Sequence, residues 1–87
     1  MNSFDKQSFQ DKLDATHSWP GHYTFKFIIP TDDREKLSAL LPMGSISERL
    51  SKNGKYTSVS LRCVMSSSSA VMSVYEDVSQ LEGVIAL

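Results

Sequence analysis

The side chains in this chain best suited to chemistry are its serines, His17 and His22, the single Cys63, and cations at alternating positions in two segments. A nucleophilic serine needs a base, an orienting group and a strained elbow of the Gly-x-Ser-x-Gly kind. Gly44-Ser45-Ile46-Ser47 lacks the second glycine, and Ser66 to Ser69 follow no elbow. These serines therefore read as helix caps and solvated strand positions. His17 and His22 flank a Trp-Pro-Gly break with no cysteine nearby. Zinc takes about four ligands at tighter spacing, so no metal site is expected. Cys63 falls on the inward side of a strand, where a thiol behaves as a small hydrophobe. No catalytic residue, metal ligand or cofactor motif is identified, and a non-enzymatic protein is expected.

Positioning elements are clearer than chemistry. From Tyr56 to Met65 the residues alternate: Thr57, Val59, Leu61, Cys63 and Met65 on one side, Tyr56, Ser58, Ser60 and Arg62 on the other. That pattern describes a strand with one face on a core and one polar face. Asn53-Gly54 just before it predicts a two-residue hairpin turn, because both residues tolerate positive φ. His22 to Pro30 is a second strand of this type, with Tyr23, Phe25, Phe27 and Ile29 inward.

Between them, Thr31 to Leu41 predicts a helix capped by Asp32, with Glu35 in the reciprocal position and Leu37, Leu40 and Leu41 as its apolar stripe. Pro42 and Gly44 stop it. Ser45 to Ser51 predicts an edge strand in which Glu48, between Ile46 and Leu50, discourages stray pairing. Ser66 to Ser69 initiate a helix whose apolar spacing runs from Ala70 to Leu81, with Gly83 as its left-handed cap. Val84 to Leu87 predicts a short buried strand at the other sheet edge.

Residues 1–21 form an N-terminal arm with a short helix capped by Ser3, carrying Phe9 and Leu13 and pinned by Trp19. Residues 22–87 form the domain. The order β-α-β-β-α-β implies an α+β, ferredoxin-like split βαβ fold: a four-stranded antiparallel sheet of order 4-1-3-2 with two helices on one face.

Length and composition set the remaining bounds. Eighty-seven residues make one domain, and 40% hydrophobic with 22% charged content argues against disorder. A net charge of -1 gives no global pull toward nucleic acid or anionic membrane. One cysteine excludes an intramolecular disulfide, no signal peptide is visible, and no stretch reaches the roughly 20 apolar residues of a membrane span. A cytoplasmic location is expected.

Three segments in order, Tyr23-Thr24-Phe25-Lys26-Phe27-Ile28-Ile29-Pro30, Gly54-Lys55-Tyr56-Thr57-Ser58-Val59-Ser60 and Glu82-Gly83-Val84-Ile85-Ala86-Leu87, resemble the YbeD-like family of small bacterial proteins. The resemblance covers about residues 17 to 87. It implies a domain of unknown function with a ferredoxin-like, ACT-like fold, and it carries no catalytic residues to transfer. ACT domains share the fold and bind amino acids, but fold alone does not fix function.

Three functions remain in view. The first is a regulatory or protein-interaction module whose working surface is the open sheet face, with Lys26, Arg49, Tyr56 and Arg62 clustered there beside serine hydroxyls. The second is an ACT-like sensor of a small, anionic or amino-acid-like metabolite, weakened by Asp32 and Asp33 where such sensors carry glycine. The third is RNA binding, disfavoured because Phe25 and Phe27 point inward and leave no stacking platform. A homodimer through the apolar edge at Val84 to Leu87 is a further expectation, and no membrane partner is expected.

Overall fold

The computed structural model describes residues 6–87, so the expected Ser3 cap lies outside the described residues. In chain order the elements are α1 (Lys6–Thr16), β1 (Gly21–Pro30), α2 (Arg34–Leu40), β2 (Ser45–Leu50), β3 (Tyr56–Met65), α3 (Ser68–Val78) and β4 (Ile85–Ala86). All pairings are antiparallel. The strand order is β2-β3-β1-β4, which read from the opposite edge is 4-1-3-2.

Alternation decides which face is buried. β1 and β3 pair along ten residues, with Phe25 opposite Leu61, Phe27 opposite Val59 and Ile29 opposite Thr57. All six are buried. On that face they join Leu13 of α1, Leu37 of α2 and Val71, Met72, Val74 and Val78 of α3 in one core. Each fully buried aliphatic or aromatic side chain contributes about 1.5–3 kcal/mol relative to an exposed one. Tyr75 of α3 sets its ring edge-on to Phe9, Phe25 and Phe27 at centroid distances of 5.8, 5.2 and 6.0 Å, a favoured aromatic geometry.

The N-terminal arm joins this core through Leu13 and is held at its exit by Trp19. The indole Nε1 donates to Asp14 Oδ1 at 2.9 Å, and the ring stacks on His17 at 5.3 Å. At the start of α3, Ser67 Oγ accepts from the Ala70 N–H at 3.1 Å, so the serine run does initiate that helix.

Several local expectations are corrected. Asp32 does not cap α2. A single 3-10 turn at Thr31–Asp33 leads into the helix with no side-chain cap hydrogen bond. Tight winding after Pro30 leaves Asp32 in solvent, while Thr31 Oγ1 meets Thr57 Oγ1 at 2.9 Å. α3 ends at Val78, and Gly83 lies five residues beyond. Ser79 Oγ bonds back to the Glu76 carbonyl at 2.7 Å, and the Leu81 N–H donates to the Val78 carbonyl at 3.0 Å. Such i→i+3 bonds close a helix by tightening it, and Gly83, at φ +79, instead turns the chain against Pro30 into β4. β4 is only Ile85–Ala86 and is exposed, not buried.

The hairpin between β2 and β3 is wider than two residues. The Ser51 N–H donates to the Tyr56 carbonyl at 2.8 Å and the Gly54 N–H to the Ser51 carbonyl at 3.0 Å. Lys52 and Asn53 thus occupy the turn centre, and Gly54 follows with φ +75. Asn53 Oδ1 organises the loop by accepting from the Lys55 N–H at 3.0 Å and from Ser51 Oγ at 3.1 Å. Nothing lies within 4 Å of a Cβ added at Gly54, so Gly54→Val meets conformational strain alone. The expected loss is about 1–3 kcal/mol, read from denaturant midpoints. A neutral result would mean the loop relaxes without cost.

Candidate functional site

Among the described residues no helix covers the second face of the sheet. β1 presents His22, Thr24, Lys26 and Ile28 there, β3 presents Tyr56, Ser58, Ser60, Arg62 and Val64, and β2 presents Ser45, Ser47 and Arg49. The register brings these into rows: Thr24, Arg62 and Ser45 in one, Lys26, Ser60 and Ser47 in the next, Ile28, Ser58 and Arg49 in the third. Ile85 extends the third row from β4.

The structure sets Lys26, Arg49, Tyr56 and Arg62 on this face, all exposed, but they form a line and not a cluster. Strand spacings put Lys26 about 8 Å from Arg62, Arg49 about 12 Å from Lys26, and Tyr56 about 8 Å from Arg49. Tyr56 and Arg62 stand at opposite regions of β3, about 20 Å apart. The cause is the extended stretch of β3 between them, Thr57 to Leu61, which naming the outward-facing residues together conceals.

Electrostatics distinguish this face more than its aromatics do. Lys26, Arg49, Arg62 and His22 are there, and none of its strand positions carries Asp or Glu. Among the described residues the three permanent cations enter no ion pair; the pairs formed are Lys6 with Glu76, Arg34 with Glu48 and Lys36 with Asp33. Glu48, though on β2, turns to the helix side and meets Arg34 of α2 at 3.5 Å. A charge there guards an edge strand, and Ile46 and Leu50 beside it remain exposed because α2 is too short to cover them.

Among the described residues, recesses mark the surface at several places. One of about 290 Å³ lies in the open face between Lys26 and Arg49 and includes Ser47, Ser58 and Ser60. A second, about 450 Å³, lies at the end of β1 against the hairpin, with Thr31, Asp32, Lys55 and Tyr56. Another, about 620 Å³, lies on the helix side beside the short β4, lined by Phe9, Phe27, Met72, Tyr75, Leu81 and Val84 among others. Periodicity did not reveal it, since its walls come from α1, β1, α3 and the segment around β4, which are far apart in the chain.

Other reactive candidates are in structural use. His17 Nδ1 lies 3.2 Å from the Leu13 carbonyl and 2.9 Å from Thr16 Oγ1. Among the described residues no three His, Cys, Asp or Glu side chains gather as a metal site. Cys63 is buried, with Sγ 3.5 Å from Met65 Sδ. Burial pushes the Cys63 thiol above its ordinary 9.0. Burial, then the hydrogen bond and charge of Tyr23 (hydroxyls 2.9 Å apart), push the Tyr75 phenol above 10.0. Both groups keep their protons longer in the folded state, so the stability they contribute is complete below about pH 9 and falls as pH rises past it. Denaturant midpoints at about pH 7 and pH 10 should show that fall; a rise would contradict it.

Fold and face together define a small α+β protein with a four-stranded antiparallel sheet, helices on one side and a cationic, hydroxyl-rich surface on the other. The chain matches the family described as "Protein of unknown function (DUF493)" over residues 14–87, and it belongs to that family. The match agrees with the resemblance read from the three sequence segments. No curated protein and no solved structure matches the chain. Among the described residues no helix is long and apolar enough to cross a membrane.

Proposed function

We propose that this protein is a small, cytoplasmic, non-enzymatic module of the ferredoxin-like split βαβ kind that acts by binding a protein partner through its open sheet face, in a regulatory or scaffolding role. The observation that supports the reading is a broad sheet face that, among the described residues, is left uncovered and lined with cations outside any ion pair. Tyr56, about half exposed at 47%, adds a residue type that often carries interface energy. Phe25 and Phe27 are buried beneath the sheet, which weighs against an RNA-stacking surface. The exposed edge at β4 leaves room for a second copy to add a strand.

The test is capture of a partner from a cell lysate. Tyr56→Ala with Arg62→Ala should leave stability within about 0.5–1 kcal/mol, because both are surface residues, and should abolish capture. Full-strength capture by the double variant would move the interface elsewhere. A second reading, an ACT-like metabolite sensor, is favoured by the recess of about 450 Å³ at the junction of β1 and α2. Asp32 and Lys55 both border that recess, so a zwitterion offering an amine to one and a carboxylate to the other fits it better than a simple anion. A thermal-shift screen separates the two: a rise in Tm with a small amine or amino acid supports the sensor.

A further inference from the structure

Resting on the open-face reading, we propose that the partner is an acidic, extended protein segment whose carboxylates at alternate residues engage Arg62, Lys26 and Arg49. The chain as a whole is slightly acidic, at net charge -1. Yet three permanent cations share one sheet face whose strand positions hold no acid. Segregation of this kind creates a local positive potential that steers and orients an anionic partner.

Spacing gives the partner's form. Along the sheet axis Arg62, Lys26 and Arg49 step down by two residues each, because Arg62 sits opposite Thr24, Lys26 opposite Ser60 and Arg49 opposite Ser58. Measured along the strands each step is about 7 Å, the separation of side chains on one side of an extended peptide, while Lys26 and Arg49 stand about 5 Å to either side of the strand that carries Arg62. Carboxylates at i, i+2 and i+4 of a segment lying over β3 therefore come within reach of these three long side chains in turn. A helix would place same-side acids about 5–6 Å apart and drift out of step.

The middle of this path holds the recess of about 290 Å³, with Lys26 and Arg49 on either side and Ser47, Ser58 and Ser60 lining it. Glu48 borders it too, with its carboxylate held by Arg34 on the other face. Ser58 and Ser60 are half-buried between the cations. Hydroxyls that can donate, framed by charges, suit a carboxylate that has lost part of its hydration. Single-stranded RNA also carries regular negative charge, but its affinity for such surfaces leans on base stacking. Among the described residues of this face the exposed rings are Tyr56 and His22, each about 13–14 Å from Lys26 and at opposite ends of the sheet, too far apart to form a stacking platform.

Fluorescence anisotropy with a labelled peptide of roughly nine residues, glutamate alternating with serine, tests this on the whole protein. Saturable binding is expected at low salt. It should weaken about tenfold or more at high salt and about tenfold in the double variant Lys26→Gln with Arg49→Gln. A peptide with the same glutamates in one block should bind several-fold more weakly. No binding by the parent protein, equal binding of the blocked peptide, or tighter binding of an oligouridylate than of the alternating peptide would overturn the proposal. The salt series needs no variant, so misfolding cannot mask the result. If Tyr56→Ala with Arg62→Ala loses partner capture while the acidic peptide fails to bind the parent, the open face stands and the acidic partner falls. If the peptide binds and capture is unaffected, the general reading falls instead.

Discussion

Phe27→Ala should lower the free energy of unfolding by about 3–5 kcal/mol, measured by denaturant titration. The ring is 1% exposed, lies opposite Val59, stacks at 6.1 Å on Phe25 and meets Tyr75 edge-on at 6.0 Å. Truncation removes both aromatic contacts and the apolar area they cover. The void then opens into the recess beside β4, whose wall Phe27 forms. Water entry would relieve part of the cavity cost but would wet Phe25 and Tyr75, so the lower end of the range is the least expected. A domain of this size has about 5–15 kcal/mol in total. Much of it would be unfolded at moderate temperature. A melting temperature within a degree or two of the parent would mean the strand register is wrong, since a slip of one residue exchanges Phe27 for Lys26.

Gly44→Ala should cost about 1–3 kcal/mol or more. An added Cβ would stand 2.6 Å from the Arg62 carbonyl oxygen, 2.7 Å from Cys63 Cβ and 2.9 Å from Leu61 Cδ1. Two of those three atoms belong to backbone or a Cβ and cannot swing away. β2 would have to lift from β3, starting at the Ser45–Arg62 pair. Hydrogen exchange should quicken along β2 first, with β1–β3 pairing retained. Gly54→Ala is the control. No atom lies near its Cβ, so only its positive φ resists. Equal stability of Gly44→Ala and the parent would mean that β2 approaches β3 less closely than described. The effect bears on function, because β2 carries Arg49 and Ser47.

The sheet was legible in the sequence, and the reason is particular to β1 and β3. Ten-residue strands with an unbroken period of two leave one register that buries Phe25, Phe27, Val59 and Leu61 together. Assigning Lys26 and Arg62 to the solvent side follows from the same parity. Ser67 as the cap of α3 was legible because a side-chain oxygen three residues before an amide is a local arrangement. Helix ends beyond the first turn were not. Asp32 and Gly83 carry cap-forming side chains or conformations, yet Pro30 and the packing of the adjoining turns direct the chain differently.

By itself the sequence determined the strand parity, the identity of the core and the sign of each residue on the open face. These depend on local periodicity and on hydrophobic burial, which act along the chain. Only the tertiary structure decided the rest. Gly44, readable as a helix stop, is also where two backbones come too close for a methyl group. Lys26, Arg49 and Arg62, distant in sequence, stand in successive rows on three neighbouring strands, with no acid at the strand positions of that face. Both facts depend on how strands β1, β2 and β3 lie beside one another, and that alignment is set by cross-strand hydrogen bonds between residues far apart in the chain.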